Sequence, residues 1–433
     1  MAFVDTNVKQ PVDLQAQSNR PNYQVYARVE FSNANLPDVT VKEVIVGESL
    51  LNPSAYTVVT LQSAMYFQNW ASVPINWNDF RCQPISVYIS DNNTSEDNAR
   101  NMKIEQHVYR CDNRRFSSTN TGNTEDLSLH SIDESILNDA GMVWQKTWKC
   151  ATPSQIVNEA LQKIGATDKL VSNNTGPGRP YSADSIHPLQ VIQQQANVAL
   201  ANGDDPSFVH YMTIKEQTGK NVHNFRSLYD LMHPTAHTPF DLYAADSAIS
   251  GGTGMADSYG YTGSFVPLPL RTAITFNFPC DYDVLSDLLN GVDCNGKNIN
   301  SVRTWNPATA DFASNGGGAG GGIANMLTSW TAKGTAQRQN TCETNVEKYL
   351  LKRQARMAML EKDKIALRMT LPWSPWLHVG QQIKFHWTNR YNSSDEQYGS
   401  GTYLIVHMTH NIQFGGYGVT NIDCISNTFG SGG

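Results

Sequence analysis

The sequence predicts an α+β protein, mainly β, with two antiparallel β-barrel domains flanking an α/β insert. Three observations predict it. Short β-branched runs recur at near-regular spacing over the first third of the chain. Two well-capped helices follow. An alternating strand pair then closes the chain, with Trp376-Leu377-His378-Val379-Gly380-Gln381-Gln382-Ile383-Lys384-Phe385 answered by Gly401-Thr402-Tyr403-Leu404-Ile405-Val406-His407-Met408-Thr409-His410.

The first barrel is expected over 20–150, after a polar N-terminal arm, 1–19. Tyr23 to Phe31 alternates, with Val25, Ala27, Val29 and Phe31 on one face. Thr40 to Val46, Tyr56 to Leu61, Ile85 to Ser90, Met102 to Arg110 and Leu127 to Ile132 continue the pattern, with turn-rich spacers such as Asp91-Asn92-Asn93 between them.

An α/β insert is expected over 151–240. Thr152-Pro153-Ser154-Gln155 is a capping box with proline at the first helical position, and Ile156, Val157, Ala160, Leu161 and Ile164 form the apolar stripe before Gly165. Gly176 to Pro180 reads as a linker. A second helix is expected with Asp184 or Ser185 as its cap and Pro188 opening it, followed by strand Phe208 to Ile214 and a hairpin tip at Thr218-Gly219-Lys220.

Residues 241–342 are irregular and glycine-rich, with a short strand expected at Thr275 to Phe278 and a short helix at Asp281 to Leu289. A hundred residues of structureless loop is rare in a compact domain, so neighbouring chains are expected to hold this segment. A helix from Thr344 to Leu360 and a strand at Lys364 to Leu371 lead into the second barrel, within 343–433. In the closing pair Val379, Ile383 and Phe385 are expected to face one way, with Tyr403 and Ile405 across from them. No short-period repeat is visible, which excludes a solenoid or propeller.

Composition narrows the function classes. Of 433 residues 40% are hydrophobic and only 16% charged, so the surface relies on neutral polar side chains. That suits β-rich proteins packed into large assemblies, where like-charge repulsion between copies costs stability. A net charge of −7 argues against nucleic acid as the main partner, and sequence-specific binding is not expected. No apolar run approaches the roughly 20 residues of a membrane span, and Met1 to Asn19 lacks the apolar segment of a secretory signal. The seven cysteines (82, 111, 150, 280, 294, 342 and 424) have no zinc-knuckle spacing and are expected to be reduced, mostly buried thiols.

No motif points to catalysis, a cofactor or a metal. The run Gly316 to Gly322 is followed by Ile323-Ala324, not the Lys-Ser/Thr that a phosphate loop needs, and reads as a flexible linker. His407 and His410 fall on opposite faces of a strand and cannot share an ion. His233 and His237 have helical spacing, but Pro234 lies between them. Asp204 and Asp205 could serve acid/base work in a cell-wall hydrolase, but adjacent carboxylates in a turn do not face each other across a cleft, and a solvated turn is expected. Trp144 and Trp148 could stack sugars; core or subunit-interface anchoring is the expected role.

Several stretches in order carry a family resemblance. They are Met102 to Arg110 leading to the capped helix that ends Ala160-Leu161-Gln162-Lys163-Ile164-Gly165; Pro188 to Ile192 followed by Phe208-Val209-His210-Tyr211 and Asn224-Phe225-Arg226-Ser227-Leu228; and the closing pair with Gly380, Gly401, Tyr403 and His410. In these the chain resembles the central baseplate hub proteins of contractile-tailed bacteriophages, and more distantly the hub half of type VI secretion spike (VgrG) proteins. The resemblance implies a homotrimer in the virion tail baseplate, assembled in the host cytoplasm. Each subunit contributes two tail-tube-like torus barrels, so that three subunits present six units to a sixfold tail tube and a threefold face to a central spike. The implied partners are the chain itself, a tail-tube initiator or tube protein, and the spike, with baseplate wedge and tape-measure proteins beyond; the ring is a channel for genome passage. No spike-like β-helix repeat follows the last barrel, so hub and spike are expected as separate chains. The alternatives from other classes are a virion-associated cell-wall hydrolase and a carbohydrate-binding tail protein.

Overall fold

The computed structural model describes residues 25–31, 39–63, 81–91, 102–119, 122–172, 175–176, 178–201, 205–215, 219–233, 367–388, 400–413 and 417–426, short strands between 240 and 314, and Arg353, Met357 and Leu360. Six strands come from the N-terminal part: β1 (Val25–Phe31), β2 (Val39–Ser49), β3 (Tyr56–Ser63), β4 (Pro84–Asp91), β5 (Met102–Thr119) and β6 (Gly122–Ile132). They pair antiparallel in the order β1-β4-β5-β6-β3-β2. Their alternation sends every second side chain inward, and Val44, Val59, Ile85, Val87, Ile104 and Leu129 are all essentially inaccessible to solvent.

Four strands come from the C-terminal part: β18 (Leu367–Pro372), β19 (Gln382–Thr388), β20 (Gly401–Gln413) and β21 (Tyr417–Ile425). β19 and β20 form the closing antiparallel pair, with Ile383 opposite Tyr403. Val379, Ile383, Phe385, Tyr403 and Ile405 are buried in one core, as the alternation predicts. The two ends of the chain are then hydrogen-bonded to each other. β2 runs antiparallel to β20 from Glu43 opposite Gln413 to Ser49 opposite His407. One 14-stranded sheet results, and among the described residues no ladder closes either half into a ring.

The middle of the chain lends strands to the C-terminal half. β12 (Phe240–Ala245) lies parallel to β19, with Phe240 opposite Ile383. β13 (Ser258–Tyr261) and β14 (Ser264–Pro267) extend that edge, and β15 (Ile274–Phe276) pairs with β18. β16 (Arg303–Asn306) and β17 (Asp311–Ser314) form a separate ribbon. The helix expected at 281–289 lies outside the described residues, as does most of the one expected at 344–360, of which Arg353 and Met357 are helical.

Between the two halves lies the insert: α1 (Glu134–Ala140), β7 (Trp144–Ala151), α2 (Pro153–Lys163), β8 (Lys169–Val171), β9 (Arg179–Ile186), α3 (Pro188–Ala196), β10 (Phe208–Ile214), β11 (Asn221–Ser227) and α4 (Leu228–Met232). The capping box of α2 is formed, with the Gln155 side chain accepting from Thr152 N at 2.9 Å, and contributes about 1 kcal/mol. Two local expectations are corrected. The last two residues read as a linker, Arg179 and Pro180, and the residues read as a cap lie in strand β9, because pairing with β7 buries Ala183 beside Trp148 and Ile156. The cap of α3 is therefore His187, not Asp184 or Ser185. Cys150 is disulfide-bonded, against the expectation of reduced thiols. Cys82, Cys111 and Cys424 are not in disulfides.

Strand β10 is shared by three cores. Phe208 packs with the helices α2 and α3, Val209 and Tyr211 with the C-terminal strands, and Met212 and Ile214 with the N-terminal strands. Tyr211 fixes the identity of Gly380, which has φ +82°, and a Cβ there would lie 2.4 Å from the Tyr211 hydroxyl. Gly380→Ala combines left-handed strain with overlap against a buried ring. It is expected to cost about 3 kcal/mol, read as a lowered urea midpoint at unchanged m-value.

Candidate functional site

The place where the three parts meet is organised by one carboxylate. Glu48 stands near the end of β2 and is 2% exposed. Its Oε1 accepts from Ile214 N at 2.7 Å, at the end of β10. Its Oε2 accepts from Val379 N at 3.2 Å, in the turn before β19. His378 Nδ1 lies 3.2 Å from Oε1. A buried carboxylate needs donors on both oxygens, and here they come from the insert and from the C-terminal half while the residue itself belongs to the N-terminal sheet. The chemistry is that of a rivet: hydrogen bonds that only the assembled junction can supply. Nothing in the sequence marked Glu48 beyond its position at the end of a β-branched run, after Gly47.

The adjoining ladder places the two histidines of β20 on opposite faces, as expected. His407 sits 2.7 Å from the Ser49 hydroxyl on β2. His410 is fully buried, with Nδ1 at 2.9 Å from the Thr420 hydroxyl. Burial, and then the neighbouring His378, hold its imidazole down to about 3.

The other candidates from the sequence disperse. Asp204, His237 and the glycine run 316–322 lie outside the described residues. His233 is exposed and stacks on Tyr229 with ring centroids 4.4 Å apart. Asp205 is not in a solvated turn: it is 2% exposed, its carboxylate accepts from the Ser207 hydroxyl and its carbonyl from Ala201 N at 2.8 Å. The turn is drawn inward by Arg353, which donates to the carbonyls of Pro206 (2.8 Å) and Phe208 (3.1 Å). Burial lowers that guanidinium to about 10 against the opposing pull of Asp205. Among the described residues no group of three or more His, Cys, Asp or Glu is placed to hold a metal ion.

Trp144 and Trp148 meet edge to face at 5.1 Å, and Trp148 packs on Tyr181 at 5.6 Å. Trp148 is 7% exposed and its indole donates to Glu159 at 3.0 Å, so its faces are taken by the insert's own core. Trp148 is thus an anchor of that core, with Trp144 partly buried beside it.

No family model matches the sequence, and no curated protein matches it. Solved structures with a similar chain path include an Escherichia coli component of the type VI secretion system described as similar to the T4 bacteriophage tail proteins gp27 and gp5 (10% identity, covering 92% of this chain and 76% of that one, TM-score 0.47). The 43 kDa tail protein of prophage MuSo2 from Shewanella oneidensis is similar at 9% identity, over 93% of this chain and 98% of that one, with TM-score 0.47. A tail protein from Neisseria meningitidis MC58 is similar at 9% identity, over 94% and 97%, with TM-score 0.47.

Two substitutions test the site. Glu48→Ala leaves Ile214 N, Val379 N and His378 without their acceptor and is expected to lower unfolding free energy by about 3–5 kcal/mol in urea titrations. Trp148→Ala is expected to cost about 3–5 kcal/mol, because it empties a packed position; a variant of wild-type stability that has lost glycan binding would assign Trp148 to a ligand instead.

Proposed function

We propose that this chain is a structural subunit, the central hub of a phage tail baseplate, and works as a homotrimer. Three copies form a ring around the tail axis. Each copy offers two neighbouring sheet-rich units, so the ring presents six units to the sixfold tail tube and a threefold face to the central spike. Its channel passes the genome.

The β2–β20 ladder is the observation that carries this reading. It joins the two β-rich ends edge to edge, so their spacing and angle are set within one subunit and repeat unchanged in each copy. A ring of heterologous contacts closes only when the rotation between successive units is fixed. The surface supports the same reading: with 16% charged residues, copies approach without strong like-charge repulsion. The resemblance of the residues flanking the two helices and the closing pair to baseplate hub proteins supports it independently. Binding is to the chain itself, a tube or tube-initiating protein and the spike, with wedge and tape-measure proteins at the periphery. The protein does this without catalysis.

Light scattering on the full chain at micromolar concentration is expected to give three times the chain mass, and negative-stain images a threefold ring with a central hole. A stable monomer, or particles without an annulus, would overturn the proposal.

A further inference from the structure

The hairpin β10–β11 carries two histidines whose rings stack 5.3 Å apart and nearly parallel, at 5°. His210 Nε2 lies 3.0 Å from His223 Nδ1. His223 Nε2 lies 2.9 Å from the hydroxyl of Ser135 in α1. Ser135 in turn bonds Asp133, the cap of α1, through both its hydroxyl and its backbone N–H. Asp133 also accepts from Asn221 at 2.8 Å. Asn221 continues the network to the N-terminal sheet, donating to Glu105 O and accepting from Gln106.

The proton positions in this chain follow from its acid end. The Asp133 carboxylate has no hydrogen to give, so the single hydroxyl proton of Ser135 goes to it. Ser135 Oγ therefore accepts from His223, whose Nε2 carries the hydrogen. A neutral His223 then has its lone pair on Nδ1, and His210 Nε2–H donates to it. Every polar atom of the His223 ring is used. A proton can enter His223 only at Nδ1, and only by breaking the contact with His210, since two N–H groups would otherwise face each other.

We infer that the His210–His223 pair is an acid-released latch: it ties β10 to β11 beside α1 while both rings are neutral, and its opening takes up protons.

The surroundings oppose charge on the closed latch. His223 is 1% exposed, and burial followed by Lys169, its register partner on β8, holds it down to about 3. His210, half-buried, is held well below its usual value by burial and then by His223. Of the charged groups on the packed elements, Asp139 of α1 accepts from Leu189 N and Glu134 is exposed. Asp133 is bound as described, Glu105 pairs with Lys103 on β5, Glu48 on β2 holds Ile214 and Val379, and Arg353 holds the carbonyls of Pro206 and Phe208. Helix α3 carries no charged side chain. The sign follows. Above the ordinary histidine value of about 6.5 both closed and open rings are neutral and opening is independent of pH. Below it, the separated rings protonate and the closed ones do not, so opening is favoured progressively as the pH falls towards 3.

Hydrogen exchange by mass spectrometry on the full chain tests this, with peptides spanning 208–227 compared at pH 7 and pH 5 after correction for the intrinsic exchange rate. Two groups that protonate only on opening reduce protection about 10³-fold between these pH values. In His210→Gln one group remains, and the reduction is expected to fall to about 30-fold. Unchanged protection from pH 7 to pH 5, or the full reduction in His210→Gln, would overturn the latch. Should that variant fail to fold, ¹⁵N-histidine NMR of the unmodified protein at pH 5.5 decides. A neutral His223 with its hydrogen on Nε2 supports the assignment; an imidazolium, or a hydrogen on Nδ1, refutes it.

Discussion

Glu48 accepts hydrogen bonds from two backbone N–H groups that lie more than 160 residues apart, Ile214 and Val379, and belongs to neither segment. In water this carboxylate would be well hydrated. Its burial is tolerable only when the N-terminal sheet, the insert and the C-terminal strands are all in place. The β2–β20 ladder that runs beside it has the same property, since strands at opposite ends of the chain complete each other's backbone hydrogen bonding. β10 does with apolar side chains what Glu48 does with polar ones, placing residues in three cores at once. The parts of this protein are therefore interdependent at one small junction.

Local patterns were readable where packing reinforces them. The alternation of Ile383, Phe385, Tyr403 and Ile405 predicted a common buried face because these residues lie on paired period-two strands, and Val379, in the turn before them, joins the same core. The Thr152–Gln155 box predicted the start of α2 because capping depends on neighbours in sequence. Gly380 stood out as a glycine between alternating runs, and its reason, the approach of Tyr211, became visible only in three dimensions.

What the sequence concealed depends on distant partners. Arg179 and Pro180 end a stretch that reads as a linker, and Asp184 and Ser185 read as candidate helix caps; all four lie in β9 because β7 offers that strand a ladder and an aromatic floor. The strands between 240 and 276 are short and weakly patterned, and their order comes from β19 and β18. Asp205 reads as a surface turn residue because nothing nearby in sequence announces Arg353. Glu48 is the strongest case. A carboxylate after a β-branched run looks like a strand end meeting solvent, and the donors that bury it are supplied from elsewhere.

The pairing of β2 with β20 has a consequence for how the chain is made. During synthesis the edge of β2 emerges long before its partner, since Ser49 and His407 on the two strands are 358 residues apart. Until then a long β-branched strand has one unsatisfied side, which is a template for pairing with a neighbouring nascent chain. Closing the ladder also brings together residues very distant in sequence, 358 positions for Ser49 and His407, which makes that step slow. High-level production of this protein therefore favours slow translation at low temperature or an ample supply of holding chaperones, and fragments that stop short of residue 401 carry a permanently sticky edge.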